Sequence, residues 1–190
     1  AADNVIEHYG VAPERVHVVE MGAQHTSKWE AEELERRVEA RLDAPLRLLW
    51  MGVEWERKGG DVALEVAREL HERGLPVELR IAGNAPEEVK DLPFVTFLGF
   101  IDARRRPEEL AEVFGSSYAL LLPSRAENTS MVLADAASFA VPSLTSDTGG
   151  MHAMVHEGVN GHILALDTPP ADYADVLQRY WKDPSSYLAL

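Results

Sequence analysis

Glu127 and Asp135 stand with seven residues between them in the segment Pro123-Ser124-Arg125-Ala126-Glu127-Asn128-Thr129-Ser130-Met131-Val132-Leu133-Ala134-Asp135. Asn128, Thr129 and Ser130 are good N-cap residues, so Met131 to Phe139 is expected to be helical. Glu127 would then lie on the loop before the helix and Asp135 about a turn inside it. The unpaired N–H groups of Ser130, Met131 and Val132 at such a start favour an anion such as phosphate. Carboxylates beside a phosphate repel it and suit hydroxyls instead. Earlier in the chain Arg57 and Lys58 precede Gly59-Gly60, offering two cations for a diphosphate and glycines for close backbone approach. A ligand carrying both phosphates and hydroxyls satisfies all of these groups, and a nucleotide-sugar is one. Alternatively, Arg57 and Lys58 form a solvated basic loop. Likewise Glu127 and Asp135 can be surface acids stabilised by the helix dipole by about 0.3–1 kcal/mol.

Alternating strands and helices are expected to position these residues. Short apolar runs at Leu46–Met51, Val77–Ala82, Val95–Leu98 and Tyr118–Leu122 read as strands, followed by Ser143-Leu144 and His162–Leu166. Val16 to Val19 also reads as a short strand. Between them, helices are expected at Ala1–Tyr9, at Trp29–Leu42 and at Val62–Arg73 with Asp61 as N-cap. Further helices are expected at Pro107–Phe114, near Met151–His156, and around Tyr173–Trp181, where apolar residues recur at i, i+3, i+4, i+7 and i+8. On Trp29–Leu42, Glu32–Arg36 and Glu33–Arg37 are spaced as i,i+4 pairs on a solvated face. The alternation implies βαβ units, hence an α/β fold with a Rossmann-like parallel sheet covered by helices on both faces. Ligands bind such sheets at the carboxyl ends of the strands. The loops there are 52–60, 83–86, 99–102, 123–130 and 146–150, which hold most of the chemically interesting residues.

Composition excludes several classes of function. The 190-residue chain suits one domain and carries a formal net charge of −14. That balance argues against nucleic acid as a partner, since a nucleic-acid site needs a basic footprint. It also leaves any phosphate to be held by local donors. With no cysteine, disulfides and thiol catalysis are excluded. No Walker motif or Gly-x-Gly-x-x-Gly fingerprint is present, and no nucleophile elbow supports a serine triad. His156-Glu157 and His162 lack the His-Glu-x-x-His spacing, so no metal is expected. No apolar run approaches membrane-spanning length and no signal peptide opens the chain. A cytoplasmic location is therefore the default.

Taken together, the motifs resemble those of family-4 retaining glycosyltransferases of the GT-B type. Pro123-Ser124-Arg125-Ala126-Glu127 with Asp135-Ala136 is similar to that family's Glu-x7-Glu signature. Ala140-Val141-Pro142, Ser146-Asp147-Thr148-Gly149-Gly150 and Glu157-Gly158-Val159-Asn160-Gly161 continue the pattern in order, and Trp55-Glu56-Arg57-Lys58-Gly59-Gly60 resembles the first phosphate-contacting loop, following Gly52. The resemblance implies the C-terminal, donor-binding half of such an enzyme. Residues 1–190 would form that single domain, residues 1–20 the connection to an acceptor domain absent from the chain. It further implies that Glu127 contacts the transferred sugar and Asp135 the ribose. Lys58 and Arg57 would stabilise the diphosphate, Phe100 and Ile101 hold the base, and Gly149 and Gly150 form a loop near the donor.

The implied reaction moves a sugar from a nucleoside diphosphate sugar to an acceptor hydroxyl with retention, needing no cofactor and no bound metal. The acceptor, whether a sugar, a lipid-linked glycan or a small molecule, is not specified, and membrane association would come only through the absent domain. The fragment alone is expected to bind donor without catalysing transfer. The chain departs from the family pattern after Glu127, where Asn128-Thr129-Ser130 stand in place of an aromatic or proline followed by glycine, and at three further positions. Val53 replaces an arginine, Asp135 is one carbon shorter than glutamate, and Ala153 replaces a glutamate. A non-catalytic nucleotide-sugar-binding or protein-interaction module fits these departures. A nucleotide-sugar epimerase of the same architecture is a third reading, disfavoured by the Glu-x7-Asp spacing.

Overall fold

The computed structural model describes residues 2–19, 22, 23, 25 and 29–190. Helices α1 (Ala2–Tyr9) and α2 (Ala31–Leu42) precede the sheet. There follow β1 (Leu46–Gly52), α3 (Gly60–Glu72), β2 (Val77–Gly83), α4 (Glu87–Lys90), β3 (Val95–Gly99) and α5 (Pro107–Gly115). The second half contains β4 (Ala119–Leu122), α6 (Met131–Ser138), β5 (Ser143–Ser146), β6 (Gly161–Leu164), α7 (Pro170–Lys182) and α8 (Pro184–Leu188). All neighbouring strands are parallel, in the order β3-β2-β1-β4-β5-β6. This is the expected Rossmann-like sheet. Its order reverses between β1 and β4, which opens a crevice at their carboxyl ends.

Strand alternation divides the core in two. Leu46, Leu48 and Trp50 of β1 with Ala119 and Leu121 of β4 pack on one face with α3 and α7. Leu49, Leu120 and Leu122 face the other way, onto α5 and α6. Burial on both faces explains why Leu120-Leu121-Leu122 reads as an unbroken apolar run. Arg41 anchors α2. Its guanidinium is buried and donates to the carbonyls of Gly115 (Nε, 3.0 Å) and Phe139 (Nη2, 2.8 Å) and, through Nη1, to that of Ala140. One side chain therefore satisfies the orphan carbonyls at the ends of both α5 and α6.

Several local expectations are corrected. Val16–Val19 forms no strand, because no neighbouring strand accepts it; Val18 and Val19 are exposed. The charged face of α2 is not wholly solvated. The expected Glu33–Arg37 pair forms at 2.6 Å, but Arg36 pairs with Glu33 rather than with the Glu32 carboxylate, and Arg37 also bridges to Glu112 of α5 at 2.7 Å while its guanidinium stacks on Trp29. The N-cap of α3 is Gly59, in the left-handed region at φ 68°, and not Asp61, which lies in the first turn. Met151–Ala153 is a single 3-10 turn rather than a helix, and β6 ends at Leu164.

Candidate functional site

At the carboxyl end of β1 the chain makes a tight turn fixed from beneath. The Lys58 amide donates to the Glu54 carbonyl at 2.9 Å, and the Lys58 carbonyl accepts from the Trp50 indole N–H at 3.1 Å. Trp50 is fully buried, so the turn hangs on a rigid anchor. Gly59 and Gly60 are needed for packing within the protein. A Cβ on Gly59 would lie 2.0 Å from the Pro123 carbonyl oxygen, and one on Gly60 would lie 2.3 Å from the Trp55 ring. The expected use of these glycines, backbone approach to a phosphate, is thus joined by a structural demand: Gly59 brings the β1 loop against the β4 loop, and Gly60 makes room for the Trp55 ring within the β1 loop. Gly52 lies beneath Lys58, where its Cβ would be 3.1 Å from the lysine Cγ.

The β4 loop meets this turn. Lys58 Nζ forms an ion pair with Glu127 Oε1, and Arg57 Nη1 lies 3.4 Å from the same oxygen. Ser124 Oγ donates to that oxygen at 3.3 Å. The Glu127 side chain is 7% exposed and that of Lys58 15% exposed, so most of the pair is shielded from water. Arg57 is also held by Glu54, whose carboxyl is kept below the usual range by that hydrogen bond.

The first amides of α6 have no intrahelical acceptors. Ser130 occupies the N-cap position as expected but makes no cap hydrogen bond. Its hydroxyl oxygen is buried and unpartnered. An orphan buried hydroxyl at a helix start, beside the N–H groups of Met131 and Val132, suits an anion's oxygens. Asp135 is half-buried on α6, four residues after Met131.

Gly149 and Gly150 wrap the other side of the β4 loop. The Gly150 amide donates to the Asn128 carbonyl at 2.7 Å. A Cβ on Gly149 would sit 1.6 Å from the Glu127 carbonyl oxygen. This loop therefore sets the height of the Glu127 backbone. Phe100 and Ile101, with Met51, Gly52, Val53, Ala82 and Gly83, line a small apolar cleft of about 100 Å3 at the ends of β1, β2 and β3. Phe100 is 67% exposed at its rim, and Val53 is also exposed. Ala153 is exposed in the 3-10 turn. A separate apolar groove of about 280 Å3 near Val141, Pro142 and Leu188 contains none of these residues. Glu157 is a structural brace: it pairs with His162 and accepts from the Ile163 amide at 3.0 Å.

Lys58, Arg57 and Glu127 are thus brought together with Gly52, and the Gly149-Gly150 loop packs on the Glu127 backbone. The sequence reading missed Ser124 and Arg125. Arg125 forks onto Asp61 through Nη1 and Nη2 at 2.7 and 2.6 Å, which holds the Asp61 carboxyl below its usual range. Nothing in the residue types alone signals that pairing.

A family model described as glycosyl transferases group 1 matches residues 45–183. The chain belongs to this family. It is 31% identical to a D-inositol 3-phosphate glycosyltransferase 1 of Catenulispora acidiphila, covering 100% of this chain and 49% of that protein. A D-inositol 3-phosphate glycosyltransferase of Corynebacterium kroppenstedtii is 29% identical over 99% of this chain and 45% of its own length. The chain therefore spans about half the length of these curated relatives. Among solved structures it resembles WaaG, described as a glycosyltransferase involved in lipopolysaccharide biosynthesis, with TM-score 0.70 and 21% identity over 98% of this chain and 53% of that one. It also resembles Anabaena Alr3699/HepE in complex with UDP-glucose, with TM-score 0.63 and 19% identity over 84% of this chain and 46% of that one. These two likenesses establish the GT-B-type fold. Among the described residues, no helix is long and apolar enough to cross a membrane.

Proposed function

We propose that this domain binds a nucleoside diphosphate sugar and supplies the donor half of a retaining glycosyl transfer to an acceptor hydroxyl. The observation that carries the reading is the convergence of Lys58 and Arg57 on one Glu127 oxygen, at the strand-order reversal and next to the start of α6. Two cations and a carboxylate within contact of each other match a ligand whose phosphate joins directly to a hydroxyl-bearing ring. In this reading Lys58, Arg57 and the amides of Met131 and Val132, with the Ser130 hydroxyl, hold the diphosphate. They stabilise the charge that grows on it as the sugar leaves. Arg57 stands in for the arginine that Val53 replaces. Glu127 accepts hydrogen bonds from hydroxyls of the transferred sugar. Asp135 serves the ribose, and the Phe100–Ile101 cleft takes the base. The family membership and the UDP-glucose bound to Alr3699/HepE support a nucleotide-sugar as donor. The acceptor is assigned to a second domain, in keeping with the half-length match to the relatives.

Lys58→Ala tests the phosphate role. With a panel of nucleoside diphosphates and their sugars, the substitution should weaken binding by about 1.5–3 kcal/mol, the worth of a hydrogen bond to a charged group. Added salt should narrow the gap. Equal affinities of parent and variant at low salt, measured by calorimetry, would remove Lys58 from the site.

A further inference from the structure

The loops after β1 and β4 are laced together by bonds that involve neither side chain of the Lys58–Glu127 pair. The Arg125 amide donates to the Arg57 carbonyl at 2.8 Å, and Arg57 Nη1 donates to the Ala126 carbonyl at 2.6 Å. The Arg125 guanidinium then spans back: it takes both oxygens of Asp61 and reaches the Glu56 carbonyl. Asp61 belongs to α3 rather than to the loop, so the fork ties the β4 loop to a rigid element. Lys58 lies between Glu56 and Asp61, and Glu127 lies two residues beyond Arg125. The fork therefore fixes the two stretches of backbone that carry the ion pair. Both partners are about half exposed, 48% and 46%, so the pair contributes at most about a fivefold factor to the folding equilibrium. A planar two-point contact sets orientation instead.

We propose that Arg125, held by Asp61, is a positioning residue that sets the placement of Lys58 and Glu127 for the donor diphosphate. This rests on the donor-site reading above. Its test uses the whole chain and calorimetry with uridine, adenosine and guanosine 5′-diphosphates, continued with whichever the parent binds. Arg125→Ala should weaken that diphosphate about fivefold and Asp61→Asn about threefold, the scale of a coupling between contacting residues. The sign of the second effect discriminates. Loss of an acidic charge near an anion site strengthens anion binding by electrostatics alone, whereas loss of positioning weakens it. In a Lys58→Ala background, Arg125→Ala should change affinity less than about 1.5-fold, because its effect runs through Lys58.

Thermal melts check that each variant is folded at the assay temperature. If Arg125→Ala does not fold, Asp61→Asn carries the test. Unchanged or tighter binding by Asp61→Asn overturns the proposal, as does an equal loss from Arg125→Ala in both backgrounds, which would make Arg125 a direct ligand contact. If the parent binds neither a diphosphate nor a nucleotide-sugar, the donor-site reading falls, and this inference with it. Binding by the parent with no effect of either variant removes this inference alone.

Discussion

Replacing Gly149 by alanine should disable the site through its backbone. Gly149 has φ 55°, and its Cβ would lie 1.6 Å from the Glu127 carbonyl oxygen, where real contacts begin near 3.0 Å. The neighbouring atom is backbone, so no side chain can swing aside. The two loops must part by about 1.4 Å, the difference between those distances. That movement breaks the 2.7 Å hydrogen bond from Gly150 to Asn128. The left-handed conformation costs an alanine about 1–2 kcal/mol, the lost hydrogen bond about 1 kcal/mol, and residual overpacking about 1–3 kcal/mol. The expected destabilisation is about 3–6 kcal/mol by urea unfolding, with loss of diphosphate binding even where the variant remains folded. Gly74→Ala is the control. It shares the left-handed backbone, at φ 80°, but its Cβ would meet open space. It should cost only about 1–2 kcal/mol and leave binding intact. Equal stability losses in the two variants, or intact binding by folded Gly149→Ala, would refute the idea that this loop sets the height of Glu127.

Arg41→Met should destabilise the fold by about 2–4 kcal/mol in urea unfolding, because carbonyls at the ends of α5 and α6 lose a buried donor; a loss under about 1 kcal/mol would show that water replaces the guanidinium. The hydrogen bond from Arg125 depresses the Asp61 carboxyl in the folded state. Its stabilising contribution is therefore present above the unfolded pKa, about 3.9, and is lost as pH falls through the folded value. Asp61→Asn should flatten the acid side of the stability–pH curve, and identical curves for parent and variant would contradict this.

Much of this fold is legible in the sequence because its signals are local. The apolar runs of β1, β2 and β4 are bounded by glycine and proline, and each appears as a strand within a residue of the expected limits. Pro107 opens α5 as expected. What local reading misses depends on distant partners. Asp61 looks like an N-cap, yet Gly59 takes that role because only glycine can approach the Pro123 carbonyl in a left-handed turn. Val16–Val19 has strand-like residues but no neighbouring strand. At the site, Lys58 and Glu127 are identifiable by type and spacing, whereas their direct pairing and the Arg125–Asp61 fork arise only when β1 and β4 lie side by side. The Ser130 position was expected from its capping propensity; its unpartnered hydroxyl was not.

In the proposed arrangement Glu127 faces the transferred sugar while the cations beside it face the diphosphate. Calorimetry of Glu127→Gln with a nucleoside diphosphate and with its sugar-bearing form tests this most directly. The bare diphosphate has no sugar to lose, and the substitution releases Lys58 from its ion pair. Its affinity should stay unchanged or rise, while the sugar-bearing donor should weaken by about 1–3 kcal/mol relative to it. Weakening of the bare diphosphate as large as that of the sugar-bearing donor would contradict the placement of the ligand along the start of α6.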